Sequence, residues 1–139
     1  MHRRPIGRGR LLAVVGALVV LAGCLLPWYA FRVDTGLPSR QLIGLAESGI
    51  VSFVAALGTL ALVALPYAAG DRPVSADRGI AYALLAGLAA LGVAIWPFQV
   101  IDDLTGLLPD RAPGWWVALV GVVILGRAAF EIFQEPARR

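Results

Sequence analysis

Apolar residues fall into four long runs, Leu11 to Tyr29, Gly49 to Ala69, Gly79 to Phe98 and Trp115 to Phe133, separated by short polar or charged stretches. About 20 helical residues rising 1.5 Å each match a hydrocarbon core of roughly 30 Å, so each run is predicted to form one membrane-spanning helix. A surface helix of a water-soluble bundle would carry a polar face at 3.6-residue spacing. The first three runs have none: Leu11 to Tyr29 and Gly79 to Phe98 contain no charged side chain, and Gly49 to Ala69 offers only Ser52, Thr59 and Tyr67 as polar groups. The predicted fold class is an all-α membrane protein, a four transmembrane helix bundle, with residues 1–139 forming a single membrane domain. The stretches between runs are brief. Gly70-Asp71-Arg72-Pro73 has turn chemistry, since Gly70 suits a helix C-cap and Pro73 cannot continue a helix.

Arginines set the orientation, because positive residues in short loops stay on the cytoplasmic side. With both termini inside, Arg3, Arg4, Arg8, Arg10, Arg72, Arg78, Arg127, Arg138 and Arg139 are cytoplasmic, against Arg32, Arg40 and Arg111 outside. Indole rings prefer the headgroup level, where one edge stays wet. Trp28, Trp96, Trp115 and Trp116 then form an outer interfacial belt, with Tyr67, Tyr82, Phe130 and Phe133 at the inner interface. The expected location is the plasma membrane, multi-pass, with N- and C-termini cytoplasmic.

Composition agrees with a lipid-embedded chain, at 59% hydrophobic residues and a mean hydropathy of +0.79. The net charge of +3 and pI near 9.8 do not indicate nucleic acid. The basic residues flank membrane spans, where attraction to anionic lipid contributes on the order of 1 kcal/mol per Arg, and stacking platforms are lacking. All twelve basic residues are arginine in a chain rich in Ala, Gly, Leu and Val, a composition that suggests a GC-rich genome.

The first run raises a processing question. Leu21-Ala22-Gly23-Cys24 follows a basic n-region and an apolar stretch, and matches the lipobox of bacterial lipoprotein signal peptides. Cleavage before Cys24, the only cysteine, would place a lipid there and leave three spans. Against this, the apolar run continues through Leu25, Leu26, Pro27, Trp28 and Tyr29, well past the usual 7 to 15 residues of a secretory h-region. The favoured reading is an uncleaved first helix, with lipidation at Cys24 as the alternative. A second pattern joins the two outer loops. Residues 31–40 and 98–111 both read Phe-x-Val, an acid, Thr-Gly-Leu, then Pro-x-Arg, with about four added residues in the second. Two duplicated helical hairpins would explain this; chance similarity in a chain of limited complexity is the competing reading.

Small residues four apart let helix backbones approach in lipid. Helix 3 has two such rows, Gly79, Ala83, Gly87 and Ala86, Ala90, Ala94, and is expected at the centre of the bundle. Helix 2 has Ser48, Ser52 and Ala56, whose hydroxyls are placed to bond across to a neighbour.

Candidates for chemistry are sparse. With one His (His2) and one Cys, neither a catalytic triad nor a Cys/His metal cluster can be assembled, and phosphate-binding glycine loops are missing. No catalytic, cofactor-binding or metal residue is expected, and enzyme activity is not. Asp102 and Asp103, with Asp110 nearby, could attract a cation at the outer surface, but the favoured reading is a solvated face beside a short interfacial helix carrying Ile101, Leu104, Leu107 and Leu108. Glu47 reads as an acid on the positive N-terminus of helix 2. Arg127 and Glu131, one turn apart, form a candidate intramembrane charge pair, although an Arg in the last turns of a helix can snorkel to the headgroups.

A basic start, a first helix ending in Leu-Pro-Trp-Tyr (Leu26 to Tyr29), an acid before helix 2 and a fourth helix led by Gly-Trp-Trp (Gly114 to Trp116) resemble small four-helix actinobacterial integral membrane proteins of unknown function. That resemblance implies an uncleaved first helix and transfers no catalytic residues. The function expected is a structural, accessory or partner-binding membrane subunit; the alternative is a small oligomeric transporter or channel. Its partners would be the lipid bilayer and either a second copy or a larger membrane protein, with no nucleic acid.

Overall fold

A computed structural model describes residues 7–30, 41–46, 48–68, 78–102 and 107–134. Its elements run α1 (Arg8–Leu25), β1 (Pro27–Ala30), β2 (Gln41–Ile43), a 3-10 turn (Gly44–Ala46), α2 (Gly49–Ala68), α3 (Arg78–Gln99) and α4 (Pro113–Gln134). All four helices are long and apolar enough to cross a membrane. They form a four-helix bundle in which α1 packs against α2 and α4, and α3 against the same two. The chain is a multi-pass membrane protein by this architecture.

The first helix is shorter than its apolar run. Pro27 has no N–H and disfavours a helical conformation at the residue before it, and Leu26 accordingly sits at φ −81°, ψ 162°. The chain leaves α1 as a strand: Pro27–Ala30 pairs antiparallel with Gln41–Ile43. Helix 4 starts earlier than expected, at Pro113, a residue suited to a first helical position because its missing N–H has no intrahelical partner to lose.

The expectation that helix 3 sits at the centre is not met. Ala83, Gly87 and Ala94 lie on the exposed side of α3, and nothing comes within 4 Å of where a Gly87 side chain would stand. The closest helix pair is α1 with α4. Gly9, Gly16 and Gly23 recur every seven residues on α1, and a Cβ added at each would meet Ile132, Leu125 and Ala118 in turn. Seven residues forward on α1 thus match seven back on α4, an antiparallel seam. Gly121 answers from α4, where a Cβ would come 2.6 Å from the Val20 nitrogen. Ala13, Ala17 and Val20 on α1 and Ala118, Leu125 and Ala128 on α4 fill the rest of the seam, all buried. A buried spacing alternating between three and four is the 3.5-residue period of left-handed helix packing. The deciding row is this period of seven on α1, not the period of four on α3.

Two apolar clusters occupy the interior. Ala13, Val63, Tyr82, Ala128, Ala129 and Ile132 fill the end where α1 begins and α4 finishes. Cys24, Trp28, Val93, Trp96, Ala112 and Trp115 belong to the cluster at the other end. Leu84, Leu91, Val123 and Val54 are among the large apolar side chains on the outside, as expected of helices whose solvent is lipid.

Candidate functional site

Three of the four tryptophans assigned to an interfacial belt lie inside the bundle. Trp28 is fully buried, Trp96 is 3% exposed and Trp115 is 9% exposed, whereas Trp116 is 40% exposed. Trp28 and Trp96 meet edge to face with ring centroids 5.7 Å apart, and Tyr29 meets Trp96 at 6.3 Å. Trp115 and Trp116 stand edge to face at 5.1 Å. Such pairs favour the positive ring edge against the negative face.

Two of these indoles donate to backbone carbonyls four residues before a proline. Pro27 cannot donate to the Gly23 carbonyl four residues before it, and Pro97 within α3 cannot donate to that of Val93. Trp28 Nε1 donates to Gly23 O at 2.9 Å, a carbonyl that also accepts from Leu26 N at 3.3 Å, and Trp115 Nε1 donates from α4 to Val93 O at 3.0 Å. An unpaired carbonyl in a lipid-facing bundle is costly, and proline is tolerated there when neighbours satisfy the group it frees. Trp115 therefore ties α4 to α3 at one backbone position. Two glycines make room for Trp28: a Cβ at Gly44 would lie 2.6 Å from its Nε1, and one at Gly49 would lie 2.8 Å from its ring. Trp116 Nε1 donates to Leu107 O at 2.7 Å and holds the turn ahead of α4.

Cys24 lies in the same region, fully buried, with Sγ donating to Gly49 O at 3.3 Å. The candidate lipidation residue is thus an α1–α2 core contact in this fold. Ser52 Oγ donates to Ala89 O at 2.7 Å, bonding α2 to α3 as its row on helix 2 suggests. Thr59 instead bonds Ala55 O on its own helix at 2.9 Å.

Arg127 and Glu131 do come together, Nε to Oε1 at 3.2 Å, with the Arg side chain 62% exposed and the Glu 20%. The guanidinium also lies 5.9 Å from the centre of the Phe130 ring. The pair sits on the outer side of α4, not in the bundle interior. Glu131 flanks the start of α1, its Cβ 3.5 Å from where a Gly9 side chain would stand, a favourable place for an acid. Tyr82, expected at the inner interface, is in the core instead, while Tyr67, Phe130 and Phe133 are exposed. Asp102 and Asp110 are exposed.

His2, Glu47, Asp103 and most of the two similar loops (31–40, 103–106) lie outside the described residues. The described flanks of those loops differ, since Pro27 and Trp28 are in a strand and Trp96 and Pro97 in a helix. Among the described residues, no group of three or more His, Cys, Asp or Glu side chains is placed to hold a metal ion. Sequence reasoning missed these indole–carbonyl bonds; for Trp28 the signal was its adjacency to Pro27, whereas nothing in the sequence joins Trp115 to Pro97, because that bond crosses from α4 to α3. Compared with protein-family models, curated proteins and solved structures, the chain matches none of them.

Proposed function

We propose that this protein is a non-enzymatic structural or accessory subunit of the plasma membrane, acting through helix contacts with a larger membrane partner or a second copy. The observation that carries this reading is the distribution of side chains between inside and outside. The bundle interior is filled by small apolar residues and tryptophan rings, and among the described residues the enclosed polar side-chain groups other than indole N–H and Tyr82 are the hydroxyls of Ser48, Ser52 and Thr59. Arg127 stands outside, and Asp102 and Asp110 are exposed. Substrate transport usually employs polar or broken helices at mid-membrane facing the interior. What this chain offers to other molecules is its outer apolar face.

In this reading both termini are cytoplasmic and α1 is retained. The α1–α4 seam supports retention, because removal of residues 1–23 would strip Gly121, Leu125 and Ala128 of the helix that covers them. Purification of the full chain in mild detergent tests the proposal. A stoichiometric co-purifying membrane protein, or a homo-oligomer silent in liposome flux assays, is expected. A homo-oligomer that conducts ions or solutes would replace this reading with that of a transporter or channel.

A further inference from the structure

Three of the four indole N–H groups have protein acceptors: Trp28 on Gly23, Trp115 on Val93 and Trp116 on Leu107. Trp96 differs. Its ring is 3% exposed, and its buried Nε1 meets no acceptor among the described residues. The Ser48 hydroxyl is likewise buried and likewise without a partner there.

The packing of α2 on α3 brings these two groups to one place. Gly92 lies directly against the start of α2, where a Cβ would come 2.8 Å from the Ser52 nitrogen and 3.0 Å from the Ser48 carbonyl oxygen. One turn onward on α3 is Trp96, and one turn back from Ser52, immediately ahead of the antiparallel α2, is Ser48. Trp28 closes the same region, edge to face with Trp96 and with its ring against Gly49, the neighbour of Ser48.

Chemistry and enclosure select what can satisfy them. An indole N–H is a donor only, and a hydroxyl offers one donor and two acceptor sites. The first turn of α2, where Val51 N already donates to Ser48 O at 3.2 Å, adds the positive end of a helix. The site therefore calls for an oxygen that can accept. Because both atoms are shielded by Trp28 and by the two helices, the oxygen must be small. Water accepts from the indole and can either donate to or accept from the hydroxyl.

We propose that one water molecule is bound at the α2–α3 crossing, bridging Trp96 Nε1 and Ser48 Oγ. It does for Trp96 what the Gly23 and Val93 carbonyls do for Trp28 and Trp115. The α2–α3 contact is then a hydrated joint, in contrast to the glycine seam between α1 and α4. This proposal is independent of the function argued above.

Nuclear magnetic resonance on the full chain in bicelles, with ¹⁵N-labelled tryptophan, tests it through magnetisation transfer from water to the indole protons. A water cross-peak is expected at Trp96 Hε1, with none at Trp28 or Trp115. Ser48→Ala should weaken or abolish that cross-peak, whereas Ser48→Thr, which keeps the hydroxyl, should retain it. No water cross-peak at Trp96 in the unmodified protein overturns the proposal. So do equal cross-peaks at all three indoles, a cross-peak from lipid in place of water, or one that Ser48→Ala leaves unchanged. If Ser48→Ala does not fold, the three indole cross-peaks of the unmodified protein decide between these outcomes.

Discussion

Gly16→Ala is the smallest perturbation that separates the tightest helix pair. The added methyl would stand 2.9 Å from the Leu125 nitrogen, 3.0 Å from its Cγ and 3.1 Å from the Gly121 oxygen. Ordinary carbon contacts lie at about 3.5–4.0 Å, so α1 and α4 must part by roughly 0.5–1 Å, and two of the three opposing atoms are backbone that no rotamer change can move. Overpacking of this kind costs about 1–3 kcal/mol. Alanine is also the better helix former, by roughly 0.5–1 kcal/mol, which masks part of the loss. Gly126→Ala on α4 supplies the correction, because nothing lies within 4 Å of its added methyl. It gains the same propensity term without the clash. The difference between the two variants isolates the seam and is expected at about 1–3 kcal/mol. The assay is reversible unfolding in mixed micelles at rising SDS fraction, followed by fluorescence of the buried tryptophans. Equal stability of the two variants, or a more stable Gly16→Ala, would refute the reasoning.

Trp115→Phe removes the donor to Val93 O and is expected to destabilise by about 1–3 kcal/mol. In a Pro97→Ala background the restored N–H can serve that carbonyl, so the Trp115→Phe loss should shrink by at least about 0.5 kcal/mol in a double-mutant cycle; strict additivity would break the link between proline and indole. Cys24, buried against Gly49, should resist maleimide in native membranes and react fully in SDS, and rapid native labelling would place it outside the core. Intact mass is expected to retain residues 1–23, and their loss would make Cys24 a lipidation site. Arg127→Ala should change stability by no more than about 0.5 kcal/mol, as for an exposed partner of an ion pair one turn apart; a loss of several kcal/mol would mean the arginine is enclosed by a partner.

The four spans were legible because lipid demands length and apolarity of every helix, and both are properties of sequence alone. Their boundaries were less so. Pro27 marks the end of α1 at Leu25, yet apolarity continues through Tyr29 and by itself does not tell helix from strand. Packing was legible only in part. Alanine-rich helices carry rows at spacing four by composition, so those of α3 did not distinguish a buried face from a lipid face. The Gly9, Gly16, Gly23 row was readable, since a glycine every seven residues has little other use in a lipid-embedded helix. Tryptophan burial was not legible, for a physical reason. An indole with a wet edge and one whose N–H is taken by a proline-freed carbonyl occupy the same sequence positions, near span ends. Only packing tells Trp116 from Trp115.

The central claim is that α1 is retained as a span and lies antiparallel along α4. Cysteine cross-linking tests it most directly, with Ala13→Cys and Ala128→Cys introduced into a Cys24→Ser chain. Both alanines are fully buried and fall between the Gly9–Ile132 and Gly16–Leu125 contacts. Oxidation in native membranes is predicted to give an intramolecular disulfide in full-length protein, while Ala13→Cys paired with Ala83→Cys on the outer side of α3 gives none. Absence of the first cross-link, or its formation only between chains, would contradict the account.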